Sequence, residues 1–261
     1  MLIEERLERI MKILEDDQRA TIDELVEAIQ VSKDTIRRDL IRLEQQNLVR
    51  RIHGGVISTK KEAVIFDYNE RSHMSNAVKQ MIGQQAAELI EESSSILFDS
   101  STTVEAAIQP LQSKKITAIT NSLTHAALLA KNDKAGVSLL PGNLHKEQLF
   151  LSGAETVIGI QQYITDYTLL GVFALSSDGV FIHTQEEGLA KRQMVKQGKT
   201  VIALADHTKL DKIGFFKVCS LAEIDILITD KAPEDTLLKA LESNNIRLIV
   251  TDQSKENAHH D

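Results

Sequence analysis

Ser32-Lys33-Asp34-Thr35-Ile36-Arg37-Arg38-Asp39-Leu40 decides the reading of the N-terminal part of the chain. Ser32 stands where a hydroxyl can N-cap a helix, and that helix carries Lys33, Thr35, Arg37 and Arg38 in its first turns. Just upstream, Gln30-Val31 reads as a short turn. Before it, Thr21-Ile22-Asp23-Glu24 is a capping box that opens another helix, with Leu25, Val26 and Ile29 as its apolar face. Farther back, Arg6, Ile10 and Leu14 are spaced by four and share one face of a first helix. Two short helices joined by a tight turn, with cations and a hydroxyl opening the second, form the arrangement by which a helix-turn-helix presents side chains to the DNA major groove.

Downstream, Leu48-Val49-Arg50-Arg51-Ile52-His53-Gly54-Gly55-Val56-Ile57 reads as two short strands around Gly54-Gly55. A hairpin behind a recognition helix is a wing, and Arg50, Arg51 and His53 on it are in reach of phosphates or the minor groove. From Lys33 to Lys61 eight Lys and Arg face three acids, Asp34, Asp39 and Glu44, although the whole chain carries a net charge of −8. Positive charge gathered on one element is the footprint of a DNA reader.

These residues resemble a known family. Arg6, Ile10, Leu14, Ser32, Thr35, Ile36, Arg37, Arg38, Asp39 and Leu40 fall at the spacing of the DeoR/GlpR helix-turn-helix signature, and Arg51-Ile52-His53-Gly54-Gly55 is similar to that family's wing. The resemblance implies a bacterial transcriptional repressor of sugar and polyol metabolism. It also implies the fold class: α/β, an N-terminal winged helix-turn-helix joined to a C-terminal, mostly parallel α/β effector domain resembling ribose-5-phosphate isomerase.

Among the N-terminal residues, Leu14, Leu25, Ile36, Leu40 and Leu43 read as core and carry no function. Arg6 has two readings, an ion pair with a nearby acid or a phosphate contact. Asp39, flanked by cations, reads as an anchor that orients Arg38 or Arg42. Thr35, Arg37 and Arg38 are the candidates for base contacts, since Arg grips guanine O6 and N7 bidentately. Lys33, Arg42, Arg50 and Arg51 are candidates for backbone positioning, with Ser32 and His53 completing the DNA-binding set.

The chain has 261 residues, enough for a small and a medium domain. The expected division is a winged helix-turn-helix over 1–58, a linker over 59–76, an effector-sensing and oligomerisation domain over 77–252, and a polar tail over 253–261. Phe66-Asp67-Tyr68-Asn69-Glu70-Arg71 in the linker packs against one domain or the other. A single cysteine, Cys219, excludes an internal disulfide framework and suits a reducing cytosol. No apolar run has the length of a membrane span and Met1-Leu2-Ile3-Glu4-Glu5 is not a signal peptide, so a cytoplasmic protein with no membrane partner is expected. Without Trp and with few aromatics, a stacking surface for RNA is not expected.

From Ser94 onward short β-rich runs alternate with helical stretches. The runs are Ser95–Asp99, Ile116–Thr120, Val137–Leu140, Thr168–Val172, Val180–His183, Val201–Ala205, Ile226–Thr229 and Arg247–Val250. Alternation predicts a mostly parallel sheet covered on both faces, and such sheets bind ligands beyond the carboxyl ends of their strands. Polar clusters follow four runs: Asp99-Ser100-Ser101-Thr102-Thr103, Thr120-Asn121-Ser122, Pro141-Gly142-Asn143 and Ala205-Asp206-His207-Thr208-Lys209. Glu186 and Glu187 open a helix with Lys191 one turn beyond Glu187. The first cluster opens a helix, whose hydroxyls and free amides suit a phosphate.

By resemblance, Asp99, Ser100, Thr102, Thr103, Asn121, Gly142, Glu187, Lys191, Asp206 and Lys209 line a sugar-phosphate pocket. The sequence departs from the family pattern at Ser101 and Asn143, where glycines are usual, and at Phe173 and Ala174. An added Cβ tightens a site that a ligand approaches closely. The blander readings are that Ser and Thr after a strand cap the next helix and that Glu187–Lys191 is an ordinary i,i+4 pair.

Three functions remain open on the sequence. The first is a repressor, a homo-oligomer (dimer or tetramer) that sets winged heads on the half-sites of a double-stranded DNA operator and answers to a phosphorylated sugar or polyol. It needs no catalytic residue, cofactor or metal. The second is an aldose–ketose isomerase with Asp99, Glu187 or Asp206 as base, against which the N-terminal head argues. The third is a DNA-binding protein whose C-terminal domain only assembles it.

Overall fold

The computed structural model describes residues 3–17, 19–45, 48–52, 55–58, 68 and 76–251. By its internal contacts the chain divides into two compact units, residues 1–65 and 66–261.

In the first unit, α1 (Ile3–Asp17), α2 (Ile22–Ile29) and α3 (Lys33–Gln45) pack around Ile10, Leu14, Leu25, Ile36, Leu40 and Leu43, all fully buried. The Thr21 capping box is formed: its hydroxyl accepts the Glu24 amide at 3.2 Å, and the Glu24 carboxylate accepts the Thr21 amide at 2.7 Å. Gln30 ends α2 in the left-handed conformation at φ 61° and its amide donates to the Val26 carbonyl, so the turn into α3 is tight. The wing hairpin is β2 (Val49–Ile52) against β3 (Gly55–Ser58). A third strand, β1 (Arg19–Thr21), pairs with β3 and has no signature in the sequence because it is only three residues long. Gly55 is needed in this sheet, since a Cβ there would lie 2.5 Å from the Ala20 carbonyl oxygen.

The second unit is built on a seven-stranded sheet. Its strands are β4 (Ser95–Phe98), β5 (Thr117–Thr120), β6 (Gly136–Leu139), β9 (Thr165–Gly171), β12 (Gly198–Leu204), β14 (Ile226–Thr229) and β15 (Arg247–Val250). They lie in the order β15-β14-β12-β9-β4-β5-β6, and each pairs with its neighbours in parallel. Alternate side chains go to opposite faces. Leu169, Ile202, Leu204 and Ile228 meet Ile82 and Ala86 of α4 (Asn76–Leu89). Leu170, Val201, Ala203 and Leu227 meet Leu237 and Leu241 of α9 (Asp235–Ser243). Burial on both faces is why these strands read as near-continuous apolar runs.

Two parts of this unit differ from the sequence expectation. The run Val180–His183 does not join the parallel sheet. Its strand, β11 (Gly179–Ile182), pairs antiparallel with β10 (Ala174–Ser176) and β13 (Phe216–Cys219) in a separate sheet. Only Ser177 and Asp178 connect β10 to β11, too few residues for a parallel crossover. Gly179 takes φ +129° at this turn, and a Cβ there would meet the Cys219 carbonyl oxygen at 2.1 Å. The second is a small hairpin of β7 (Asn143–His145) and β8 (Phe150–Ser152), absent from the sequence reading, with α7 (Ala154–Ile160) after it.

The chain adds β5 and β6 on one side of β4 and then returns to add β9, β12, β14 and β15 on the other. The order therefore reverses between β4 and β9, and a crevice forms beyond the carboxyl ends of those two strands.

Candidate functional site

The N-terminal unit presents one polar helix face. Along α3, Ile36, Asp39, Leu40 and Leu43 are buried while Asp34, Arg37, Arg38, Ile41 and Arg42 are exposed. Asp34, Arg37, Arg38 and Ile41 recur at i, i+3, i+4 and i+7, so they form one stripe. Ser32 caps the helix: its Oγ accepts the Thr35 amide at 3.3 Å and shares a hydrogen bond with the Thr35 hydroxyl at 2.9 Å. Lys33 pairs with Asp23 at 2.5 Å and Arg37 with Asp34 at 3.4 Å, both on exposed surface. Among the described residues Arg38 has no ion-pair partner. Ile41 is 39% exposed on the same stripe, a position the sequence analysis does not single out.

Arg6 takes the ion-pair reading. Its guanidinium bonds both carboxylate oxygens of the fully buried Asp39, the Nη2 bond being 3.0 Å, and this pairing raises its pKa. Asp39 also holds Arg42 at 3.4 Å, so it orients Arg42 and Arg6 rather than Arg38. Arg51 is engaged too: Glu44 accepts its amide at 2.9 Å and its Nε at 2.6 Å. These bonds hold the Glu44 carboxyl below its usual range. Arg50 pairs through its backbone with Ile57, while His53 and the side chain of Arg50 lie outside the described residues.

In the second unit the crevice between β4 and β9 holds a buried polar group. Asp99 follows β4. It accepts the Gly171 amide at 2.6 Å, the Ser101 amide at 2.8 Å and the Lys191 ammonium. Lys191 comes from α8 (Gln185–Gln197), donates to the Gly171 carbonyl at 3.0 Å, and lies 3.9 Å from the Glu187 carboxylate. Asp99 and Lys191 are almost wholly buried. The structure thus brings together Asp99, Glu187 and Lys191, as the sequence reading grouped them, and adds Gly171.

The amides expected to be free at the start of α5 (Thr102–Glu105) are occupied. Ser101 Oγ accepts the amides of Thr103 at 3.1 Å and Val104 at 3.3 Å. Ser101 supplies the cap, and that overturns the free-amide expectation for those two groups. Ser100, Thr102 and Thr103 are buried around this turn. Gly171 accommodates Ser101, because a Cβ on it would come within 1.9 Å of Ser101 Oγ.

The other strand ends are separate. After β5, Asn121 donates from Nδ2 to the Leu151 carbonyl at 2.8 Å, and its buried Oδ1 accepts no hydrogen bond from the described residues. Gly142 at φ +142° is required by packing, since a Cβ there would strike Thr156 Oγ1 at 2.1 Å and the Ser152 carbonyl oxygen at 2.5 Å. After β12, Asp206 caps the turn His207–Lys209 by accepting the Thr208 amide at 2.9 Å. His207 beside it bonds the buried Asp230 carboxylate through Nδ1 at 2.6 Å and approaches Lys231 through Nε2 at 3.3 Å. No bond joins Asn121, Asp206 or Lys209 to the Asp99–Lys191 group among the described residues. A cleft of about 450 Å³ opens elsewhere, beside α4 and α5, where Lys79, Gln80, Glu105, Gln112 and Lys131 line it with Thr102.

With this geometry in view, two regions of the chain match known family models. Residues 6–62 match the DeoR-like helix-turn-helix domain, and residues 74–231 match the DeoR C terminal sensor domain. The HTH-type transcriptional repressor GlcR of Bacillus subtilis is 39% identical over 255 residues, covering 98% of this chain and 99% of that protein. The glycerol-3-phosphate regulon repressor of Haemophilus influenzae is 31% identical over 247 residues, covering 94% and 96%. Among solved structures, ribose 5 phosphate isomerase A of Neisseria gonorrhoeae matches 51% of this chain and 52% of its own, at 19% identity and a TM-score of 0.37. No helix among the described residues is long and apolar enough to cross a membrane.

Proposed function

Because the chain belongs to the DeoR family, we propose that it is a DNA-binding transcriptional repressor of carbohydrate metabolism genes, controlled by a phosphorylated sugar or polyol. The observation that carries the DNA half is the α3 stripe. Arg37 and Arg38 stand exposed at the start of a capped helix, and the ion pairs behind it hold Arg6 and Arg42 in place. Arg37 and Arg38 are assigned to base edges. Ile41 is assigned to an apolar contact such as a thymine methyl. Lys33, Arg42 and Arg51 are assigned to phosphates.

For the effector half, the support is the crevice between β4 and β9. Lys191 offers an ammonium there and Glu187 a carboxylate, while Asn121 carries an orphaned buried acceptor at the next strand end, suited to a ligand hydroxyl. The name of the Haemophilus influenzae relative, with its glycerol-3-phosphate regulon, favours a small phosphorylated polyol or sugar. The assigned roles are ligand binding and no catalysis: Asp99 is saturated by two amides and an ammonium, so it is a scaffold rather than a free base. A homo-oligomer acting in the cytoplasm on paired half-sites completes the reading.

Fluorescence anisotropy on DNA from upstream of the protein's own coding sequence, at two salt concentrations, with and without glycerol 3-phosphate or ribose 5-phosphate, tests it. Sequence-selective binding that one ligand alters is the expected result. Binding to all sequences alike sinks the repressor reading, and turnover of ribose 5-phosphate would put the isomerase in its place.

A further inference from the structure

We propose that Tyr68, at the start of the second unit, is a positioning residue that ties the entry of that unit to both effector loops through Glu105. The inference rests on the reading that a ligand at the strand ends controls the DNA-binding head. Tyr68 lies ten residues beyond the end of β3 at Ser58. Its hydroxyl donates to the Glu105 carboxylate, 2.8 Å from one oxygen and 2.9 Å from the other. Its amide donates to the Glu147 carbonyl at 3.1 Å, in the turn between β7 and β8.

Glu105 is where three segments meet. It is the last residue of α5, the single turn that begins at the Asp99–Ser101 loop and is capped by Ser101. The Thr124 hydroxyl donates to the same carboxylate at 3.0 Å, and His125 Nε2 stands 3.4 Å from it. Both belong to α6 (Leu123–Leu129), which opens at Ser122, immediately after Asn121. Ser122 Oγ caps α6 through the His125 amide and also bonds Thr124 Oγ1 at 2.9 Å. The loop after β4 runs into the turn that ends at Glu105, the loop after β5 runs into Thr124 and His125 beside that carboxylate, and Tyr68 grips it from the start of the unit. One turn of helix is too short to absorb a shift, so movement of either loop displaces the carboxylate that Tyr68 holds. A hydrogen bond to a charged group is among the stronger single contacts, so this one link is able to couple Tyr68 to both loops.

The test compares wild type, Tyr68→Phe and Glu105→Gln as full chains, by hydrogen–deuterium exchange and by the anisotropy assay with glycerol 3-phosphate and ribose 5-phosphate. Tyr68→Phe keeps the ring and removes only the donor; Glu105→Gln keeps an acceptor and should lie between it and wild type. In Tyr68→Phe, exchange should rise together in 66–70 and in 102–107, roughly tenfold or more, with α9 unchanged. Its DNA affinity without ligand should match wild type, and the ligand-induced change in DNA affinity should shrink. Faster exchange in 66–70 with 102–107 unaltered overturns the proposal, since the link would then be a passive anchor. So does an undiminished ligand response. If neither ligand alters wild-type DNA binding, the effector reading falls, and the exchange comparison still decides whether Tyr68 and the β4 loop move as one.

Discussion

Replacing Lys191 by Met should destabilise the larger unit by roughly 3–5 kcal/mol, the usual cost of stripping a buried carboxylate of its cation. The size follows from the burial of both partners, Asp99 at 1% and Lys191 at 4% relative exposure. Asp99 would keep the Gly171 and Ser101 amides, which leaves it hydrogen-bonded but without a counter-charge. A unit of this size loses about 2–4 °C per kcal/mol, so the melting point should fall by roughly 6–20 °C. The chain has no Trp, which makes calorimetry and far-UV circular dichroism better suited than fluorescence. Asp99→Asn should cost a similar amount, because it strands the ammonium. The double variant should cost clearly less than the two single changes added, because neither charge is then left alone. A Lys191→Met chain that melts within about 3 °C of wild type, or strictly additive costs, would refute the view that the two buried charges depend on each other.

Other outcomes follow from the same geometry. Gly171→Ala should destabilise by about 1–3 kcal/mol through overpacking against Ser101, and adding Ser101→Gly should recover most of it, since Gly at a cap costs only a few tenths; a denaturant titration in which the second change gives no rescue rejects the contact. Arg37→Ala should reduce discrimination between operator and scrambled DNA by roughly 1–3 kcal/mol, whereas Arg51→Ala should weaken both alike and flatten the salt dependence; equal losses on both sequences for Arg37→Ala would remove it from the base-reading set. Asp166 accepts the Ser95 amide and hydroxyl and pairs with Lys199, which holds its carboxyl well below the usual range. A carboxylate depressed in the folded state adds stability that is present above its unfolded pKa of about 3.9 and is lost as pH falls below it. Asp166→Asn should therefore flatten the decline in melting temperature below about pH 4, and an unchanged acid limb would discount the Ser95 clamp.

The head was legible in the sequence because its signals are local. A capping box, a cap at Ser32 and four-residue apolar spacing act within one or two turns, and all of them appear in α2 and α3. The parallel strands were legible for a related reason: burial on both faces leaves continuous apolar runs such as Ile226–Thr229, which matches β14. What the sequence could not show depends on contacts between distant positions. Glu105, a lone acid in a four-residue helix, has no local mark, and its partners come from two distant places in the chain, Tyr68 and the pair Thr124-His125. Ile41 has no mark in the sequence, because its exposure depends on how α3 packs against the rest of the head. Val180–His183 looked like a parallel strand because the short turn at Ser177-Asp178 that forces it antiparallel carries little weight in an alternation count.

The departure at Ser101 takes on a different meaning in the fold. On the sequence it added a Cβ where a ligand was expected to come close. In the structure its hydroxyl holds two amides of α5, and its Cβ and Oγ lie where a side chain on Gly171 would otherwise sit. A phosphate at this turn therefore competes with the protein's own hydroxyl for the amides of Thr103 and Val104. In the proposed effector reading, recognition would then rest on side chains: the ammonium of Lys191, the carboxylate of Glu187 and the unsatisfied oxygen of Asn121. Side chains of that kind distinguish the hydroxyls of a polyol, whereas amides at a helix start would mainly register its phosphate. The turn that Ser101 caps ends at Glu105, so in the proposed reading a ligand that displaced this loop would also move the Tyr68 contact.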